Sequence, residues 1–132
     1  MSLQIYWLAM PDPHFVGLLQ LEPDPTDKTE QMLVVVSESF PFFDTHGMEW
    51  TADKGAVTDG ASIPGLLKPI IGKSFQTPYL PAAVLHDIYC KNKSRSWRQT
   101  DSMFYEAMIT NGVNILKAAT MWAAVYVFGP HW

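Results

Sequence analysis

The sequence predicts an α+β domain: a small N-terminal antiparallel sheet followed by three to four helices. Three observations predict it. Strand formers dominate residues 1–58, cut by proline-containing loops. From Gly60 onward apolar residues recur at helical spacing between cap signals. The 132 residues suffice for one hydrophobic core. Residues 1–132 therefore read as a single domain, mainly strands to 58 and mainly helices from 59.

Residues 4–9 form an aromatic and aliphatic run ended by Pro11-Asp12-Pro13, and residues 16–21 a second run ended by Glu22-Pro23-Asp24-Pro25. Residues 32–36 are a continuous apolar, β-branched strand. Residues 48–51 and 56–58 read as a hairpin turning at 52–55. Ser62-Ile63-Pro64 opens a short helix to Ile71, stopped by Gly72. Thr77-Pro78 caps a helix over 78–92, with proline at its first position. Ser96 and Gln99 make a capping box for a helix ending near Asn111-Gly112. A last helix spans 113–128, apolar on nearly all sides, and is expected at the centre of the core.

Composition narrows the function. The charged fraction of 17% lies below the ~25% usual in globular domains, while 48% is hydrophobic, which excludes a disordered solvating chain. Nine basic against 13 acidic residues, with no basic stripe, give no reason to expect nucleic acid as a partner. Cys90 is the only cysteine, so no intramolecular disulfide forms. The N-terminus lacks a basic region and a long apolar run, so no signal peptide is expected. The apolar stretch 118–128 is too short to span a bilayer, which takes ~20 residues, so no transmembrane segment is expected.

Chemistry-bearing residues are few. Asp59-Gly60-Ala61-Ser62-Ile63-Pro64 sits where strands give way to helices; as a turn with Ser62 as cap it is ordinary, and as a cation site Asp59 would be a ligand. His86-Asp87 lies inside the apolar run Ala82-Ala83-Val84-Leu85, where two ionisable groups are costly to bury unless paired or metal-bound. Tyr89, three residues on, can share the face of His86, and Lys91 is placed to pair with Asp87. A turn at 93–95 makes the His-Asp helix and the Asp101 helix an antiparallel pair and brings Asp101 toward His86. There it would orient the imidazole; the alternative is a helix-start acid paired with Arg98. Cys90 at i+4 from His86 allows a thiol–imidazole dyad, although a reactive cysteine usually starts a helix rather than ending one. His46 falls in a loop, and His14 and His131 near the ends.

Thr58-Asp59-Gly60-Ala61-Ser62-Ile63-Pro64, Leu85-His86-Asp87-Ile88-Tyr89 and Arg98-Gln99-Thr100-Asp101 with Phe104 and Met108 together resemble a family of uncharacterised proteins of tailed phages and prophages. The resemblance covers about residues 32–132. It implies synthesis in the host cytoplasm, with a virion or tail as a further destination. It also implies phage structural proteins or the host envelope as partners. A more local resemblance links the His86-Asp87 helix and the Asp101 helix to the catalytic helix pair of phospholipases A₂. It implies His86 as general base, Asp101 as its orienting carboxylate, and Asp87 as ligand of calcium or another divalent metal, with Asp59 beside it. Tyr89, Ser62 and Arg98 would support the site. This chain departs from that pattern: it has Cys90 where those enzymes carry tyrosine, a short His86-to-Asp101 interval, and no glycine-rich calcium loop.

Two functions compete. One is a metal-assisted hydrolase of ester or phospholipid type. The other is a non-enzymatic virion or tail assembly protein whose His-Asp cluster is a buried hydrogen-bond network, with Trp50, Trp97 and Trp132 as an exposed partner surface.

Overall fold

Among the described residues, six short strands form two three-stranded antiparallel sheets, and three helices follow. The computed structural model describes residues 12–28, 32–58 and 78–132. One sheet has the order β1 (His14–Phe15), β4 (Phe40–Phe43), β5 (Glu49–Ala52). The other has the order β2 (Leu21–Pro23), β3 (Leu33–Val35), β6 (Val57–Thr58). In β4 burial alternates: Phe40 and Phe42 face the core while Pro41 and Phe43 are half-buried. Phe42 lies opposite Trp50 across the β4–β5 ladder, an aromatic pair of the kind that stabilises a sheet face. Pro41 has no N–H to give, but its carbonyl accepts from Val16 N–H at 3.0 Å.

The sheet departs from the sequence expectation in three places. Residues 40–43 carry no expected strand, because Pro41 interrupts a run that burial then organises. The expected hairpin of 48–51 with 56–58 does not form. β5 pairs with β4 through a tight turn in which Asp44 N–H donates to the Met48 carbonyl, and β6 pairs with β3. Residues 53–56 instead lead from one sheet to the other, with Gly55 N–H donating to the Val35 carbonyl. The expected strand over 16–21 is broken at Gly17, whose φ of +79° is left-handed; β1 ends before that span, and only the span's last residue, Leu21, enters a strand, β2. The expectations for residues 4–9, the short helix to Ile71 and the Thr77 cap lie outside the described residues.

α1 (Leu80–Asn92) begins two residues later than the sequence suggests, with Pro81 in its first turn, where a missing N–H costs nothing. It ends at Lys93 in the left-handed conformation. α2 (Trp97–Thr110) starts with the expected capping box: Gln99 N–H donates to Ser96 Oγ, and Ser96 N–H to Gln99 Oε1. α3 (Ile115–Phe128) is capped by Asn114, whose side chain accepts from Leu116 N–H.

The helix at the centre of the core is α1, not α3. Eight residues of α1 are buried, and Ala82 and Ala83 let neighbours approach closely. α1 packs against α2, β5 and β6, whereas α3 packs mainly on α2. α3 therefore buries only Ala118, Met121, Ala124 and Val125, and leaves Leu116 79% and Val127 61% exposed. Among the described residues no helix is long and apolar enough to cross a membrane.

Phe42 is completely buried. Phe42→Ala should lower unfolding free energy by about 3–5 kcal/mol in urea denaturation. A loss under about 1 kcal/mol would contradict its place in the core.

Candidate functional site

The connection between α1 and α2 is short, and it folds the two helices against each other and sets His86 against Asp101. His86 Nε2 donates to Asp101 Oδ1 at 2.7 Å, and both residues are buried, 1% and 2% exposed. The helix-start alternative for Asp101 is not adopted, since the Arg98 guanidinium lies 5.0 Å over the Trp97 ring instead. With Nε2 engaged, Nδ1 is the nitrogen left to accept a proton. The Phe104 ring lies 4.7 Å from the imidazole and limits its tilt. Asp101 Oδ2 is buried and has no hydrogen-bond partner among the described residues. A buried carboxylate oxygen left this way is costly, and in a native protein it asks for a reason.

Cys90 Sγ lies 3.7 Å from both nitrogens of His86. Equal distances put the sulfur on the bisecting plane of the ring. Within the ring plane it would collide with the ring carbon between them, so it sits over the ring face. From there it lies along neither nitrogen's lone pair, which is poor geometry for a thiol–imidazole dyad.

The remaining site residues point elsewhere. Asp87, 1% exposed, pairs with Lys91 Nζ at 3.0 Å, and that ammonium also donates to the Val57 carbonyl. α1 is thereby tied to β6. The Tyr89 hydroxyl accepts from Thr51 N–H at 3.0 Å and its ring meets Trp50 edge-on, so Tyr89 joins α1 to β5 rather than contacting the imidazole. Trp50 is 1% exposed and cannot be part of an exposed aromatic surface; Trp97 and Trp132 are half-buried. Arg95 stacks on the buried Trp50 ring at 4.2 Å. Asp59 and Ser62 lie outside the described residues.

Calcium takes roughly six to eight oxygen ligands. Among the described residues Asp87 supplies one carboxylate, already held by the Lys91 ammonium. The described residues do not fit a calcium cage at His86-Asp87.

A second grouping carries no signal in the sequence pattern. Asp44, His46 and Glu106 converge on a cavity of about 370 Å³ that is also lined by Trp50, Arg98 and Ser102. Glu106 is 61 residues from the Thr45 N–H it accepts, and no local pattern encodes so distant a meeting.

The family model for a protein of unknown function (DUF1353) matches residues 34–125. Uncharacterized protein y4iH of Sinorhizobium fredii (strain NBRC 101917 / NGR234) is 39% identical over 118 residues, covering 89% of this chain and 48% of the relative. Uncharacterized protein y4jT of the same strain is 42% identical over 106 residues, covering 80% of this chain and 32% of the relative. The chain thus spans about half of one relative's length and about a third of the other's. No solved structure matches it.

Asp101→Ala should cost about 1–3 kcal/mol in urea unfolding, because His86 Nε2–H loses its buried acceptor. The double variant His86→Leu/Asp101→Leu should cost less than the sum of its two single changes. Strict additivity would show that the pair is not coupled.

Proposed function

The chain belongs to the DUF1353 family of proteins of unknown function, and within it we propose a hydrolase in which His86 activates water and Asp101 orients and stabilises the imidazole. The observation that carries this reading is the 2.7 Å bond from His86 Nε2 to Asp101, which leaves Nδ1 as the base. Energetics support it. Replacing a buried polar or ionic pair with well-packed apolar residues is often neutral or stabilising. Stability alone therefore gives little reason to keep an imidazole and a half-satisfied carboxylate between Phe104 and the apolar face of α1.

In this mechanism Nδ1 takes a proton from water as the oxygen attacks an acyl carbon. Asp101 holds the resulting imidazolium, and the proton then passes to the leaving alkoxide. The helix-pair resemblance favours esters or phospholipids as substrates. Because His86 is 1% exposed, substrate reaches Nδ1 only by a local opening around the dyad. No step passes through a metal at Asp87. Origin in a tailed phage or prophage belongs to the same proposal and rests on the motif set of the sequence.

The second reading is a non-enzymatic assembly protein with the dyad as an internal clamp. The near-complete burial of His86, Asp87 and Asp101 favours it.

The test is hydrolysis of p-nitrophenyl acyl esters and of phospholipid vesicles by the wild type, His86→Asn and Asp101→Asn, with circular dichroism and melting curves alongside. The hydrolase reading expects turnover by the wild type and a loss of about 10²–10⁴-fold in His86→Asn with the fold retained. Wild-type turnover that His86→Asn leaves unchanged overturns it. So does absence of turnover on both substrate classes together with a large drop in melting temperature in both variants, which is the outcome the clamp expects.

A further inference from the structure

The turn after β4 is built around one carboxylate. Asp44, 5% exposed, accepts from His46 N–H at 2.8 Å and Met48 N–H at 2.9 Å through Oδ1. Its Oδ2 accepts from the Trp50 indole N–H at 2.9 Å. Glu106 Oε1 on α2 accepts from Thr45 N–H at 2.9 Å and pins the turn to the helix. The His46 ring is thereby presented beside Glu106 at the cavity of about 370 Å³.

Ligand atoms of Asp44, His46 and Glu106 all lie within 4.8 Å of one another. Ligands of a single zinc-sized ion sit ~2.0–2.2 Å from it, so none is more than about 4.4 Å from another. His46 is exposed and Glu106 half-buried, so a small rotamer adjustment closes the difference. Each side chain retains coordinating capacity. Asp44 Oδ2 has spent one lone pair on the indole. Among the described residues, neither Glu106 Oε2 nor the His46 ring makes a hydrogen bond. A separate observation concerns charge: no lysine or arginine among the described residues is within ion-pair distance of either carboxylate, although Asp44 is more than nine-tenths buried. Arg98 lines the same cavity, but its guanidinium lies over the Trp97 ring rather than in an ion pair with either carboxylate, so the space between them is open to a cation.

We propose that Asp44, His46 and Glu106 bind one divalent transition-metal ion of the zinc class. An imidazole nitrogen with two carboxylate oxygens suits zinc or manganese better than calcium, which takes oxygen ligands. The hydrogen bonds that hold both carboxylates are the outer-shell support that metal-ligating carboxylates usually have. Three protein ligands leave a coordination position facing the cavity, as in catalytic zinc sites. The site is independent of the His86–Asp101 dyad, whose residues do not line this cavity.

The test is isothermal titration of the purified chain with Zn²⁺, Mn²⁺, Ca²⁺ and Mg²⁺. The expected result is saturable one-to-one binding of Zn²⁺, tighter than that of Ca²⁺ or Mg²⁺. His46→Ala and Glu106→Gln should each weaken it by at least about tenfold. Neither position is buried, and in Glu106→Gln the amide oxygen can still accept from Thr45 N–H, so both variants should fold. His131→Ala should bind Zn²⁺ as the wild type does, which separates this site from a surface histidine. No saturable Zn²⁺ binding, or binding unchanged in His46→Ala and Glu106→Gln, overturns the proposal.

Discussion

The bond between His86 and Asp101 sets the terms for the rest of the structure. An imidazole and two carboxylates are carried into the interior on α1 and the first turns of α2, and each is met by a partner there. His86 meets Asp101 on the facing helix, and Asp87 meets Lys91 one turn along its own. Removing polar groups from water costs several kcal/mol unless they are paired, so α1 can occupy the centre only with these partners in place. Lys91 reaches β6 and Tyr89 reaches β5, so the polar residues of α1 also locate the helix against both sheets.

α2 serves two faces. Asp101 faces inward, to the imidazole on α1. Arg98, Ser102 and Glu106 line the outer cavity and meet the turn after β4. Trp50 connects the two regions: its indole N–H holds Asp44, and its ring is covered by Arg95 and touches Tyr89. A change at Trp50 therefore bears on the Asp44 turn and on the seating of α1 together.

The α+β class and the helix pair were legible because their signals are local. The Ser96–Gln99 capping box, the Gly112 stop and the helical spacing of Ala82, Ala83 and Leu85 each act within a turn or two. The meeting of His86 and Asp101 was legible for the same reason, since a short turn between helices fixes which residues face each other. Strand pairing was not. Residues 49–52 pair with the proline-containing 40–43, which buries Phe40, Phe42 and Trp50 together and closes the turn between the strands on the Asp44 carboxylate. Hydrophobicity alone also misplaced α3. An apolar helix goes to the centre only if other elements surround it, and α1 had taken that place with smaller residues. The Asp44, His46 and Glu106 grouping depends on a contact across 61 residues, which no local pattern encodes.

The order of elements along the chain has a consequence for synthesis. Every described strand precedes α1, and the aromatic face of Phe40, Phe42 and Trp50 shares one buried cluster with residues of α1 and α2. During translation that face leaves the ribosome before its cover exists. The helical hairpin closes over a short loop and forms quickly once made, so the vulnerable interval ends with its emergence. Until then the nascent chain presents uncovered strands and aromatic surface, the features that recruit chaperones or lead to aggregation.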